Sequence, residues 1–163
     1  MKALNLDRLN TVAPYMVIPY HDEYLFRSDY GIEYVVGFKT EDIFNPIPAY
    51  WFDLSNRSQK ASPNDAKVRE TVICIILEFF NENPDIMLYM CDSANDQQAQ
   101  RNSLFLRWFS GAKQSQKFFI KTDVIVDEGI ENFIAIIVPR DHVYLEQIIS
   151  RYNAEIEMFK TSK

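Results

Sequence analysis

The sequence predicts an α+β domain in which a mixed, mainly antiparallel sheet of about seven strands carries three helices, in the order β-β-β-β-α-β-α-β-β-α. Three observations lead there. Short apolar or alternating runs, separated by Pro, Gly and Asp, fill the first part of the chain. A capped apolar segment long enough for a helix follows, beginning near Ser62. Further on, the apolar hexapeptide Phe133–Val138 precedes a stripe of apolar residues at helical spacing. A chain of 163 residues has the size that closes around one core, so a single domain over 1–163 is expected.

The elements follow in order. Tyr15–Tyr20 is a short apolar run after Pro14. Glu23–Ser28 and Ile32–Thr40 flank Asp29-Tyr30-Gly31, a turn in which Gly31 supplies the positive φ that other residues avoid. Alternation places Ile32, Tyr34, Val36 and Phe38 on one face. Ala49–Leu54 forms a further strand after Pro46 and Pro48, which completes an antiparallel meander. The polar stretch Asn56–Asp65 reads as a long loop ending in a helix start. There Ser62 caps, Pro63 fits the first helical position and Asp65 completes a capping box. That helix is expected to run to about Asn81, with Pro84 beyond it, and to pack Val68, Val72, Ile75, Ile76, Phe79 and Phe80 on the sheet.

Ile86–Cys91 is a short apolar strand, and a second helix is expected from about Asn95 to Phe109, ending near Gly111. Lys117–Val126 and Phe133–Val138 form a hairpin around Asp127-Glu128-Gly129. The second of these strands is apolar on both faces and so belongs in the interior of the sheet. A last helix starts at Asp141, with Leu145, Ile148, Ile149, Tyr152, Ile156 and Phe159 along one side.

Composition narrows the function classes. The net charge of −6 opposes a general attraction to nucleic acid or anionic lipid. Charge is uneven, because residues 97–122 hold Arg101, Arg107, Lys113, Lys117 and Lys121 without an acid. Phe118 and Phe119 lie in that window, and alternation exposes at most one of them as a stacking surface. Nucleic acid is therefore not the expected partner. Cys74 and Cys91 sit in apolar runs and read as buried thiols rather than a disulfide, which suits a reducing compartment. The first ten residues lack the apolar core of a secretory signal, and no apolar run approaches the roughly 20 residues of a membrane span. The expectation is a cytoplasmic protein with no membrane partner.

Two stretches carry a resemblance. DAKVRETVICIILEFF from Asp65, and IMLYMCDSANDQQAQRNSLFLRWF from Ile86, resemble an uncharacterised family of short bacterial proteins, a domain of unknown function. The matching positions are Asp65, Lys67, Val68, Cys91, Asp92, Asp96, Gln98, Arg101, Leu104, Phe105 and Trp108. This resemblance implies no activity. The order of elements also resembles the acetyl-CoA-dependent N-acetyltransferase fold, which implies a cofactor site at the start of the first central helix. Such a site needs a glycine-rich turn for the pyrophosphate. Here the turn is Lys60-Ala61-Ser62-Pro63-Asn64-Asp65, with a proline that lacks a donor and an acid that repels phosphate.

The remaining candidates cluster in one turn. Cys91-Asp92-x-x-x-Asp96 follows a strand, where open sheets place sites, and its two acids could hold a cation or exchange protons. Capping of the next helix explains Asp96 equally simply and is preferred, with Arg101 reaching back to pair with Asp92 or Asp96. Phe105 and Trp108, three residues apart on one helix face, read as core rather than as a ligand platform. Cys91 has only His21 and His142 as bases, both remote in sequence, so no nucleophile is assigned and the catalytic residues are unknown. Metal-binding spacings are absent, and neither metal nor cofactor is expected. The functional expectation is a small non-catalytic binding or interaction domain with an unknown protein or small-molecule partner. A divergent acyltransferase-like enzyme and a nucleic-acid-associated accessory protein are the alternatives.

Overall fold

The structure is a computed structural model that describes residues 1–61, 63–92, 107, 109, 111 and 116–161, with the backbone alone at Asp92. Seven strands, β1 (Val17–Tyr20), β2 (Glu23–Arg27), β3 (Glu33–Glu41), β4 (Ala49–Asn56), β5 (Ile86–Asp92), β6 (Phe118–Asp127) and β7 (Ile130–Pro139), form an open sheet. Their order is β1-β2-β3-β4-β5-β7-β6. The pairs β1–β2, β2–β3, β5–β7 and β6–β7 run antiparallel. Helices α1 (Leu6–Leu9), α2 (Ala66–Glu82) and α3 (Leu145–Thr161) complete the described elements. This is the expected α+β class. Of the helix expected between β5 and β6, Arg107 and Phe109 are described, and both are helical, as is Gly111.

Three details depart from the sequence reading. Helix α1 was not foreseen, because four residues are too few to show a period; Asn5 caps it by accepting from Arg8 N at 3.0 Å. Helix α2 is capped by Asp65, while Ser62, the expected cap, lies outside the described residues: Asp65 is extended, and its Oδ1 accepts from Lys67 N at 2.9 Å. The other carboxylate oxygen accepts from the Tyr15 hydroxyl at 2.6 Å, a partner distant in sequence. Helix α3 begins at Leu145 instead of Asp141. Residues 140–144 form turns, with His142 N donating to Pro139 O, Leu145 N donating to His142 O, and His142 Nδ1 accepting from Tyr144 N.

The chain gathers into two compact units, the first made of Met1–Lys39 with Phe52–Pro84 and the second of Thr40–Trp51 with Asp85–Lys163. In the first unit an aromatic core joins strands to α2: Phe38 stacks on Phe79 with centroids 4.6 Å apart, and Phe26 stacks on Tyr34 at 5.2 Å. Helix α1 is tied to α2 by charge. Arg8 donates to both oxygens of Glu78, a buried acid, and to Glu82, while Asn5 N also donates to Glu78. Asn83, which ends α2, exchanges hydrogen bonds with both backbone groups of Lys2.

The second unit is organised around β7. Ile134 to Val138 are buried without a break, as expected of a strand covered on both faces. On one face Ile134, Ile136 and Val138 join Ile86 and Leu88 of β5 and Ile125 of β6, under Ile148, Tyr152 and Ile156 of α3. The α3 stripe stops there, and Phe159 is half exposed. On the other face Ala135 and Ile137 are buried, as are Met87, Tyr89 and Cys91 of β5. Among the described residues, no helix is long and apolar enough to cross a membrane.

The β6–β7 hairpin closes through Glu128 and Gly129, both with positive φ (50° and 77°), between the paired residues Asp127 and Ile130. Two left-handed residues match the twist of a two-residue hairpin, and glycine takes the second at no steric cost. Glutamate does not fit the first. Replacing Glu128 with Asn, which tolerates that conformation, is expected to raise stability by about 1 kcal/mol, read from the urea midpoint. An unchanged or lower midpoint would contradict the turn geometry.

Candidate functional site

The turn that the sequence singled out is only partly described. Cys91 is buried within β5 and stands opposite Phe133 of β7, while Asp92 ends β5 opposite Asn132. Asp96, Arg101, Phe105 and Trp108 lie outside the described residues. Cys74 and Cys91 are thiols rather than a disulfide, and of the two only Cys91 is buried as expected, Cys74 being partly exposed. Burial, followed by Glu70, pushes the Cys74 thiol up and away from the reactive thiolate.

The start of α2, where an acyltransferase of the resembled kind would hold its cofactor, is filled by the chain itself. The Asp65 carboxylate takes a helix N–H that would otherwise meet a phosphate, and it holds the Tyr15 hydroxyl. Lys67 follows with an ion pair to Asp29 at 3.1 Å and stands 5.7 Å from the centre of the Tyr15 ring. The Tyr15 phenol is pushed up to about 12, by burial first and then by Asp65.

In the second unit, burial pushes the Asp85 carboxyl up at the start of β5, and His142 opposes that shift. Tyr50 is pushed up by burial and then by Asp85. Asp85 and Tyr50 carry no signal in the sequence, because they and His142 come from three separate segments.

Strand β6 presents a different kind of site. It is last in the strand order and pairs with β7 over its whole length, so among the described residues no strand takes its outer edge. Thr122, Val124 and Val126 are exposed on one face. The other face turns Lys121 and Asp123 toward α3. Lys121 Nζ lies 3.5 Å from Asp123 Oδ2, donates to Asn153 Oδ1 and stands 5.3 Å from the centre of the Tyr152 ring. Asp123 Oδ2 and the Tyr152 hydroxyl are both buried without a hydrogen bond. Burial, and then Asp123, push the Tyr152 phenol up, so it stays protonated. The ends of the hairpin differ in charge. Asp127, Glu128 and Glu131 are exposed at its tip, whereas Lys117 and Arg140 are exposed at its base, where Arg140 N donates to Lys117 O. Phe118 is buried against Phe109 and Phe119 is partly buried against the core, so neither offers an open stacking face.

A family model described as a family of unknown function, DUF6169, matches residues 64–154, more than half of the chain. No curated protein and no solved structure matches it.

The tie between Tyr15 and Asp65 has a pH signature. A phenol whose pKa is raised from 10.0 toward 12 in the folded chain stays protonated there while the unfolded chain ionises. Its stabilisation is therefore complete below pH 10 and is lost as pH rises through the folded value. Urea midpoints of Tyr15→Phe are expected to fall less than those of the native chain over that range. Parallel declines would show that the phenol is not held as described.

Proposed function

We propose a non-catalytic interaction role for this chain, which belongs to that family of unknown function: it takes an extended polypeptide strand along the outer edge of β6. The observation that carries this reading is the length and open side of β6. Among the described residues nothing pairs with the second edge of these ten residues, and Thr122, Val124 and Val126 are exposed in alternation. Strand β1 differs, because it has four residues and includes Pro19, and both features blunt an edge. Added strands bind through main-chain hydrogen bonds and gain specificity from alternate side chains. The inward-facing Lys121 and Asp123 fit this role, since inward charges limit indiscriminate pairing at an edge.

The alternatives make other demands. An acyltransferase-like enzyme needs an open anion site, and the α2 N-terminus is engaged by Asp65. A nucleic-acid accessory protein needs aromatic faces beside its basic residues, whereas Phe118 is buried and Phe119 is partly buried against the core, although Lys117 and Arg140 are exposed.

The test uses labelled synthetic decapeptides of alternating valine and threonine with charged ends, added to the protein at low concentration. Fluorescence anisotropy is expected to report binding, and amide exchange is expected to slow along β6. Val124→Lys combined with Val126→Lys should abolish both effects, while Ile18→Lys on β1 should not. Failure of every peptide to slow β6 exchange would overturn the reading. A melting shift with acetyl-CoA or a DNA oligonucleotide in place of the peptides would move the assignment to the corresponding alternative.

A further inference from the structure

Building on that reading of the β6 edge, we infer that the strand it accepts is β6 of a second copy of this chain, antiparallel and centred on Thr122. The stretch Lys117–Asp127 is self-complementary about that residue. Moving outward from Thr122, Lys121 matches Asp123, Ile120 matches Val124, Phe119 matches Ile125, Phe118 matches Val126 and Lys117 matches Asp127. Each charge meets its opposite, and each apolar residue meets another.

Strand geometry turns this sequence symmetry into a contact. Two copies related by a two-fold axis normal to the sheet place one residue opposite itself, and every other residue opposite its counterpart across that centre. Directly opposed residues in an antiparallel pair share a face and touch. Centring on Thr122 therefore sets the exposed Val124 against Ile120 and the exposed Val126 against Phe118, with the two threonines at the axis. Other registers fail on charge or polarity. Centring on Asp123 or Lys121 puts like charges face to face, and centring on Val124 sets Asp123 against Ile125 and Ile120 against Glu128.

An independent observation supports the same register. Asp123 Oδ2 is buried, and within its own chain it meets Lys121 Nζ at 3.5 Å without a well-formed hydrogen bond. In the paired arrangement Lys121 of the second copy stands directly opposite it. An ammonium has three donors, and Lys121 directs one to Asn153, which leaves it able to bridge the carboxylates of both copies. At the ends, the exposed acids Asp127, Glu128 and Glu131 of one copy approach the exposed Lys117 and Arg140 of the other.

Sedimentation velocity over a concentration series tests the pairing. The native chain is expected to self-associate to a dimer. Lys121→Asp alone and Asp123→Lys alone each oppose like charges, and each is expected to weaken the dimer by roughly tenfold or more. Mixing the two variants restores opposite charges at both positions, so a mixed dimer is expected to form more tightly than either variant forms with itself. That rescue separates a lost contact from a misfolded chain. A native chain that stays monomeric at all concentrations, or a dimer indifferent to both substitutions, would overturn the inference. Peptide binding at β6 by a monomeric chain would leave the broader interaction role standing, whereas the loss of both would remove the two together.

Discussion

Burial of β7 is the constraint on which the second unit depends. Ile134 to Val138 are apolar in succession, so both faces must be covered and both edges paired. Helix α3 covers one face with Ile148, Tyr152 and Ile156, and strands β5 and β6 take the two edges in continuous register. The two-residue turn at Glu128 and Gly129 holds that register on the β6 side. A slip of one residue would turn Ile125 out of the core and carry every β6 side chain to the opposite face. With one edge committed to β7, β6 has only its other edge to offer.

The polar cluster under α3 is costly by ordinary standards. Burial of polar atoms is offset only by good hydrogen bonds, and within one chain Asp123 Oδ2 has the Lys121 ammonium at 3.5 Å but, like the Tyr152 hydroxyl, no well-formed hydrogen bond. Well-packed apolar residues in place of such a pair are often as stable or more so. In the inferred dimer the cluster acts through selection, because an edge with Lys121 and Asp123 on its inner face accepts only a strand that presents the opposite charges in the same order.

Much of the fold was legible in the sequence because its signals are local. Alternation and turn residues placed β2 to β7 within a few residues of their ends, and the unbroken apolar run marked β7 as interior. The helix starts were harder. Ser62 carries the signal of a cap with Asp65 completing its box, yet Asp65 itself caps α2 and also accepts from the Tyr15 hydroxyl, fifty residues away in sequence. Asp141 carries the signal of a cap, yet the turns around His142 delay α3 to Leu145. The candidate site was less legible. Cys91 and the acids after it stand together in the chain, which makes that turn conspicuous in sequence. The exposed edge of β6 follows from the spatial order β5-β7-β6, which sequence order does not reveal. Lys121, counted as part of a basic window, proved to be paired with Asp123, just beyond that window.

The central claim, that β6 meets its own copy about Thr122, is tested most directly by a Thr122→Cys variant. Opposed Cα atoms in an antiparallel pair are about 4.5 or 5.5 Å apart, within the span of a disulfide. A Val124→Cys variant serves as the control, because its two copies would lie about four residues apart along the strands, roughly 13 Å and beyond the reach of a bond. Mild oxidation followed by peptide mapping should find an intermolecular disulfide at position 122 and none at position 124. No cross-link at 122, or equal cross-linking at both positions, would contradict the register and the pairing with it.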